Sequence, residues 1–105
     1  MAQFDVYVNP SKTSKKYFPY VIDIQSNFIS DIDTRIVIPI ARTKFFNNEV
    51  MKRLTISIEY ENEDLFLMTP QISSMNRSLL KKPIGSLSHL HQEILDSLDF
   101  AISGI

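Results

Sequence analysis

The amino-acid sequence predicts a small, mainly β domain that ends in one amphipathic helix. Apolar and polar residues alternate with a period of two in several short segments before residue 82, which is typical of half-buried strands. Apolar residues then recur at spacings of three and four near the C-terminus, which is typical of a helix with one buried face. Together these observations favour a small barrel or strongly twisted sheet over about residues 1–82, followed by a helix.

Three strands are predicted in the first half of the chain. Residues 4–8 alternate apolar and polar positions, and residues 20–24 are rich in β-branched side chains. Residues 35–40 are almost continuously apolar, which indicates a strand buried on both faces. Because proline cannot donate a ladder hydrogen bond, Pro39 is expected to mark the end of that strand or an edge.

A β-hairpin is predicted in the second half. Residues 54–60 alternate strictly between apolar and polar side chains, and an acidic connection, Glu61–Asp64, joins them to the apolar residues 65–68. Residues 72–80 are expected to add one or two short strands. The mixed spacing of residues 43–53 leaves a helical turn and a loop as equal alternatives.

The predicted helix covers about residues 86–102. Ser86 or Ser88 would supply its N-cap hydroxyl, and residues 103–105 would form a short functional tail. Its apolar face consists of residues spaced three and four apart, namely Leu87, Leu90, Ile94, Leu98, Ala101 and Ile102.

Composition excludes several classes of protein. The 105 residues suggest one domain over residues 1–105, with a net charge of −1, no Cys and only two Gly. Without cysteine there is no disulfide framework or thiolate zinc site, and two glycines cannot form a phosphate-binding loop. No apolar run reaches the roughly 18 residues of a membrane helix, and the first residues do not resemble a signal peptide. A cytoplasmic protein without membrane contact is expected.

Metal and cofactor sites are not expected. His89 and His91 are two positions apart, so on a helix they point in different directions and cannot share a ligand face. The acidic run Glu59–Asp64 lacks the spacing and central glycine of a calcium loop, and it is interpreted as a solvated hairpin turn.

Asp23 and Arg35 lie in neighbouring predicted strands. An acid and an arginine could perform phosphodiester chemistry, with His89 as a residual general base. The favoured interpretation is a cross-strand ion pair. No catalytic set of residues is therefore predicted from the pattern alone.

Two apolar segments fit the core pattern poorly. They are Phe28-Ile29 and the C-terminal residues Ile102–Ile105. Exposed apolar patches of this kind usually mark an interface, although core completion or homodimerisation would also account for them. The residues therefore favour a binding protein over an enzyme.

Several stretches together resemble the CcdB family, and the resemblance covers essentially the whole chain. They are, in order, Gln3-Phe4-x-Val6-Tyr7, Val21-x-Asp23-Ile24-Gln25-Ser26, Arg35–Ile40, Leu67-Met68-Thr69, Leu87-Ser88-His89 and Gly104-Ile105.

This resemblance implies the toxin of a toxin–antitoxin module, with the SH3-like β-barrel of the CcdB, Kid and MazF type. It implies a homodimer that binds the DNA gyrase A subunit and traps gyrase on cleaved DNA without performing chemistry or using a cofactor. It also implies a cognate antitoxin that binds through a disordered C-terminal tail. Toxin and antitoxin together would repress their own operon, so the toxin would meet operator DNA only within that complex, and the module would serve plasmid maintenance.

The resemblance also implies a gyrase-binding site. Carried over by position, the site comprises Asp99, the run Ile102–Ile105 (Ile102, Ser103, Gly104 and Ile105) and the pair Phe28-Ile29. The chain departs from the family pattern at Ser103, where the best-known members carry Trp, and at Asp99, where an amide is usual. Two alternatives are an mRNA endoribonuclease of the MazF and Kid kind, using Asp23, Arg35 and His89, and a non-toxic homologue that still binds antitoxin.

Overall fold

The computed structural model describes residues 2–27, 32–46 and 56–104, and within these ranges it contains seven strands and one α-helix. Short 3₁₀ turns lie at Thr43–Phe45, Thr69–Gln71, Arg77–Leu79 and Ser88–Leu90. The regular elements are β1 (Asp5–Val8), β2 (Tyr20–Asp23), β3 (Thr34–Arg42), β4 (Ser57–Tyr60), β5 (Glu63–Leu67), β6 (Ser73–Asn76), β7 (Gly85–Ser86) and α1 (His91–Ser103).

The strands form one antiparallel sheet that curls into a half-barrel. Six strands follow the order β4-β5-β3-β2-β1-β7, and β6 pairs with β3 beside β5. The long strand β3 therefore has β2 along one edge, and β6 and then β5 along the other. This mainly β architecture with a C-terminal helix confirms the predicted fold class.

Both faces of the sheet are covered by apolar side chains. On the concave face, Ile22 and Ile38 pack with other strand residues around Ile94 of α1, which is fully buried. On the opposite face, Val21 and Val37 pack with Tyr7 and Leu80. Because consecutive strand residues point to opposite faces, burial on both faces explains why β3 is almost continuously apolar.

Pro39 lies inside β3, so the prediction that it marks a strand end or an edge was wrong. Its carbonyl oxygen accepts a hydrogen bond from the Met68 N–H at 2.9 Å. In a strand, the nitrogen and carbonyl of one residue face the same neighbour, so the nitrogen of Pro39 faces the point where β3 changes partner from β6 to β5. Because the ladder is interrupted there, the missing N–H of proline loses no hydrogen bond.

The predicted hairpin is confirmed as β4 and β5, but its connection is two residues rather than four. Glu61 and Asn62 both have positive φ, 49° and 63°, as the tight type I′ turn requires. Glu63 and Asp64 consequently belong to β5. For residues 43–53 the sequence left a helical turn and a loop open, and a 3₁₀ turn is present at Thr43–Phe45. Residues 47–55, which include the first two residues of the predicted strand, lie outside the described residues, so their structure remains a prediction.

The α-helix begins later than predicted. Ser86 and Ser88 do not cap it, because the 3₁₀ turn at Ser88–Leu90 comes between them and α1. The Ser86 hydroxyl instead accepts a hydrogen bond from the Ser88 N–H, at 3.2 Å. Leu90 is the N-cap residue of α1 and offers no side-chain acceptor. No helix within the described ranges is long and apolar enough to cross a membrane.

A buried ion pair joins β2 and β3, which confirms the interpretation of Asp23 and Arg35 as a cross-strand pair. Arg35 Nη2 lies 2.7 Å from Asp23 Oδ2, and Arg35 Nε donates to the same oxygen at 2.8 Å. The second oxygen of Asp23 accepts the Gln25 N–H, and the Gln25 side chain accepts the Ile36 N–H. Both charged side chains are almost completely buried, at 0% and 1% exposure. The network fixes the segment after β2 against β3.

We expect Asp23→Ala to reduce the free energy of unfolding by about 3–5 kcal/mol, because it leaves the Arg35 charge buried without its counter-ion. Glu63→Gln is the control, since the Arg42–Glu63 pair is partly exposed and should contribute at most about 1 kcal/mol. Urea unfolding of both variants measures the difference. Equal losses would contradict the importance of the buried pair.

The Tyr7 hydroxyl is buried and has no hydrogen-bond partner in the described part of the chain. Burial raises the pKa of this hydroxyl above its usual 10.0, and the carboxylates of Asp5 and Asp23 raise it further. The folded state therefore keeps the proton at a pH where the unfolded state loses it. Stability from this group is complete below pH 10 and falls as pH rises further.

Tyr7→Phe removes an unsatisfied hydroxyl, so we expect a free energy of unfolding equal to the parent's or higher by up to about 1 kcal/mol at pH 8. The variant's advantage should grow above pH 10, where only the parent loses stability by ionising Tyr7. Urea midpoints at both pH values measure this. A loss of more than about 1 kcal/mol at pH 8 would show that the hydroxyl does have a partner.

Candidate functional site

The C-terminal end of α1 is closed by a glycine in the left-handed conformation. Gly104 has φ 74° and donates its N–H to the Phe100 carbonyl at 2.9 Å, which ends the helix. Other residues are strained at this φ, so glycine is the residue type that suits the cap. A Cβ at this position would meet no atom within 4 Å. The conformation, and not a shortage of space, therefore favours glycine at this position.

Ser103 is fixed to the helix by its own side chain. Its hydroxyl donates to the Asp99 carbonyl oxygen at 2.6 Å, one turn earlier. This is the back-bond to the i−4 carbonyl that serine can make within a helix. Ser103 therefore uses its hydroxyl within the helix and adds no large apolar surface at its end.

Ile102 is the exposed apolar residue of this end. It is 78% exposed, the highest value among the large apolar side chains that the structure describes. Ile94, two turns earlier in α1, is fully buried, and Leu98, one turn earlier, packs against the same core. The helix is thus held by one face, while its last turn presents an apolar side chain to solvent. We call Asp99, Ile102, Ser103 and Gly104 the helix tip.

The helix tip has a negative electrostatic environment. A helix C-terminus carries a partial negative charge, and the last turn of α1 contains no basic residue to offset it. The exposed side chain of Asp99 adds a full negative charge. The tip therefore combines an apolar side chain with an anionic surrounding.

The structure brings together four of the seven residues predicted to bind a target. Asp99, Ile102, Ser103 and Gly104 lie within the last turn of α1 and its cap. Ile105, Phe28 and Ile29 lie outside the described residues, so their place beside the tip stays a prediction.

The two histidines lie in different environments. The His91 ring packs edge-on against Phe4, with ring centroids 5.0 Å apart, at the first residue of α1. His89 belongs to the preceding 3₁₀ turn and lines a cleft. Among the residues described, no group of three or more His, Asp or Glu side chains is placed to hold a metal ion.

The residues proposed for RNA cleavage do not form an accessible site. Asp23 and Arg35 are enclosed, with exposures of 0% and 1%, so a phosphodiester cannot reach them without unfolding the sheet edge. His89 lines a cleft floored by concave-face residues, and Asp23 points to the other face with Val21.

One feature of the surface was missed by the sequence analysis. A cleft of about 410 Å³ separates β4 from β7, with Tyr20, Tyr60 and Gly85 among its lining residues. These residues are distant in sequence and meet only because the sheet curls. Gly85 was the one residue in the sequence that could have indicated the cleft, and it was interpreted as a boundary residue before the helix.

A comparison with protein families agrees with the fold. A family model described as CcdB protein matches residues 3–104, which is almost the whole chain. The chain therefore belongs to the CcdB family, whose members are the toxins of toxin–antitoxin modules.

Proposed function

We propose that this toxin binds the DNA gyrase A subunit through the helix tip, together with Ile105, Phe28 and Ile29, and traps gyrase on cleaved DNA. The observation that carries the proposal is the 78% exposure of Ile102 beside a glycine cap. A large apolar side chain left in solvent at a helix end is typical of a binding anchor. Gly104 has no side chain, so a partner can approach the backbone beside that anchor.

A homodimer would present two copies of the helix tip. Gyrase acts as a two-fold symmetric enzyme, and a two-fold toxin offers paired copies of one small patch to a two-fold target. Doubling the contact compensates for the small area of a single tip, because the second copy binds at a high effective concentration. The proposal therefore includes dimerisation as a condition of potency.

Ser103 and Asp99 make the proposed contact different in character from one centred on tryptophan. Ser103 uses its hydroxyl inside the helix, so the apolar part of the contact falls to the isoleucines. Losing a tryptophan anchor costs a few kcal/mol in many interfaces, or more than tenfold in affinity. Asp99 adds a negative charge that would strengthen binding to a basic surface and make it sensitive to salt.

The toxin itself performs no chemistry in this proposal. Because the Asp23–Arg35 pair is enclosed, gyrase binding is favoured over RNA cleavage as the function of this fold. We further propose that a cognate antitoxin neutralises the toxin in the cytoplasm through a disordered tail. The two proteins would bind their operator together, repress their own operon and so maintain a plasmid.

Deleting residues 103–105 is expected to abolish gyrase poisoning while leaving the fold intact. These residues follow the part of α1 that packs on the core, so the free energy of unfolding should change by less than about 1 kcal/mol. A gyrase cleavage assay that counts trapped DNA breaks, with and without antitoxin, measures the effect. Cleavage complexes formed equally by the truncated protein would overturn the proposal, and specific cleavage of RNA in EDTA would favour the ribonuclease.

Ile102→Ala is expected to raise the toxin concentration needed for half-maximal inhibition of supercoiling at least tenfold. Such a loss is typical of removing a central apolar anchor. Ile72→Ala is the matched control, because Ile72 is also exposed, at 38%, but lies in the segment between β5 and β6. Unfolding curves of both variants should overlap with the parent's. An equal effect of the two substitutions would argue against a specific role of the tip.

A further inference from the structure

The half-barrel has an open seam between the outer edges of β4 and β7. In the described part of the chain, β4 pairs only with β5, and β7 pairs only with β1. The cleft of about 410 Å³ occupies the space between these two edges. Its size falls within the usual range of ligand pockets.

Each wall of the cleft is a strand edge. All four residues of β4, Ser57–Tyr60, line one side, and four consecutive residues, 84–87, line the other. Since alternate side chains of a strand point to opposite faces, four consecutive residues can line one cleft only if the backbone edge itself forms the wall. An exposed edge of this kind can pair with another extended chain.

The floor of the cleft is apolar. Val6, Tyr20, Ile40 and Leu65 contribute from the concave face of the sheet, and Leu87 and Leu90 from the segment before α1. All six belong to or pack against the main core cluster. A bound chain would therefore set every second side chain against apolar surface.

Gly85 leaves room at the centre of the β7 wall. Its φ lies outside the left-handed region, so the backbone does not require glycine there. A Cβ would meet no atom within 4 Å, so packing within the chain does not require it either. Glycine inside a strand often marks a place where a ligand or another backbone approaches closely.

The β4 rim of the cleft favours a cationic partner. Tyr20 and Tyr60 pack edge to face, with centroids 5.4 Å apart, and Glu61 follows Tyr60 as the first residue of the hairpin turn. Burial raises the pKa of the Tyr20 hydroxyl, and the neighbouring Tyr60 and Glu61 raise it further. Of the two basic residues nearby, Arg42 is paired with Glu63, and His89 lines the cleft from the segment before α1. Aromatic rings beside carboxylates attract lysine and arginine side chains.

We propose that the seam binds an extended peptide segment of a partner protein, which pairs as an added strand with the open edges of β4 and β7 and carries lysine or arginine between apolar residues. Alternate apolar side chains would face the floor, and a basic side chain would lie at the rim formed by Tyr20, Tyr60 and Glu61. The seam lies beside the start of α1, and the helix tip lies at its end. Thirteen residues of helix separate them by about 20 Å. The proposal is therefore independent of gyrase binding.

The test uses the full chain labelled with ¹⁵N and the peptide acetyl-Val-Arg-Val-Lys-Val-amide. We expect saturable chemical-shift changes at β4, β7 and Tyr20 when the peptide is added at millimolar concentration. Two control peptides separate the contributions. Acetyl-Val-Glu-Val-Glu-Val-amide reverses the charge, and a copy of the first peptide N-methylated at both basic residues cannot donate those backbone hydrogen bonds. Each control should bind at least tenfold more weakly.

Variants locate the site. Gly85→Leu adds a side chain to the β7 wall, where a Cβ meets no atom within 4 Å, and should weaken binding at least tenfold. Glu61→Gln should weaken binding of the basic peptide. Ser74→Leu is the matched control, because it adds the same side chain to exposed β6, outside the cleft residues. Overlapping thermal unfolding curves show that each variant folds.

Several results would overturn the proposal. They are undetectable binding to the parent protein, unchanged binding to Gly85→Leu, equal binding of the N-methylated peptide, and a change of oligomeric state in Gly85→Leu. The third would indicate an apolar ligand site without strand pairing, and the fourth would indicate that a second copy of the chain covers the seam. Gyrase poisoning is measured separately and should be the same for Gly85→Leu and the parent.

Discussion

The fold depends on the position of β3, which pairs along both edges and packs buried side chains on both faces. It pairs with β2, β5 and β6, so the strands on both sides of the half-barrel are aligned by one nine-residue segment. The Asp23–Arg35 pair fixes the register between β2 and β3 at one end. Because both charges are buried, a shifted register would leave each without its partner, at a cost of several kcal/mol. The hydrophobic pattern favours the sheet, and the ion pair makes the observed register of β2 and β3 much more stable than registers shifted along the strand.

Local patterns predicted the strands well where both the period and the turn residues agreed. The strict alternation before Tyr60 gave the hairpin, and the spacing of three and four gave α1, because each depends on neighbours within a few residues. The prediction for Pro39 was wrong because proline is tolerated there only where the neighbour of β3 changes from β6 to β5. Those two strands are far from Pro39 in sequence. The start of α1 was misplaced for a local reason, because the serines lie before and at the start of a 3₁₀ turn, and Ser86 accepts the Ser88 N–H there and caps no helix.

The candidate site was predictable only in part. Exposure of Ile102 followed from its position beyond the core-facing turns, and the resemblance supplied the role of its neighbours. The bond from the Ser103 hydroxyl to the Asp99 carbonyl could not be predicted, because it depends on where the helix ends. The seam could not be predicted, because its walls come from residues 57–60 and 84–87, and nothing local signals that two edges of one sheet will face each other.

The anchoring of α1 through Ile94 and Leu98 has an evolutionary consequence. Residues beyond that anchor contribute little to folding, so substitutions among them are not filtered by the stability threshold that constrains the core. Under the proposed function, selection on the last turn then comes mainly from the target. A lineage can exchange residues at positions 99 and 103 and follow a changing target surface while the scaffold stays the same. The helix end is thus the part of the molecule in which recognition can diverge fastest between related toxins.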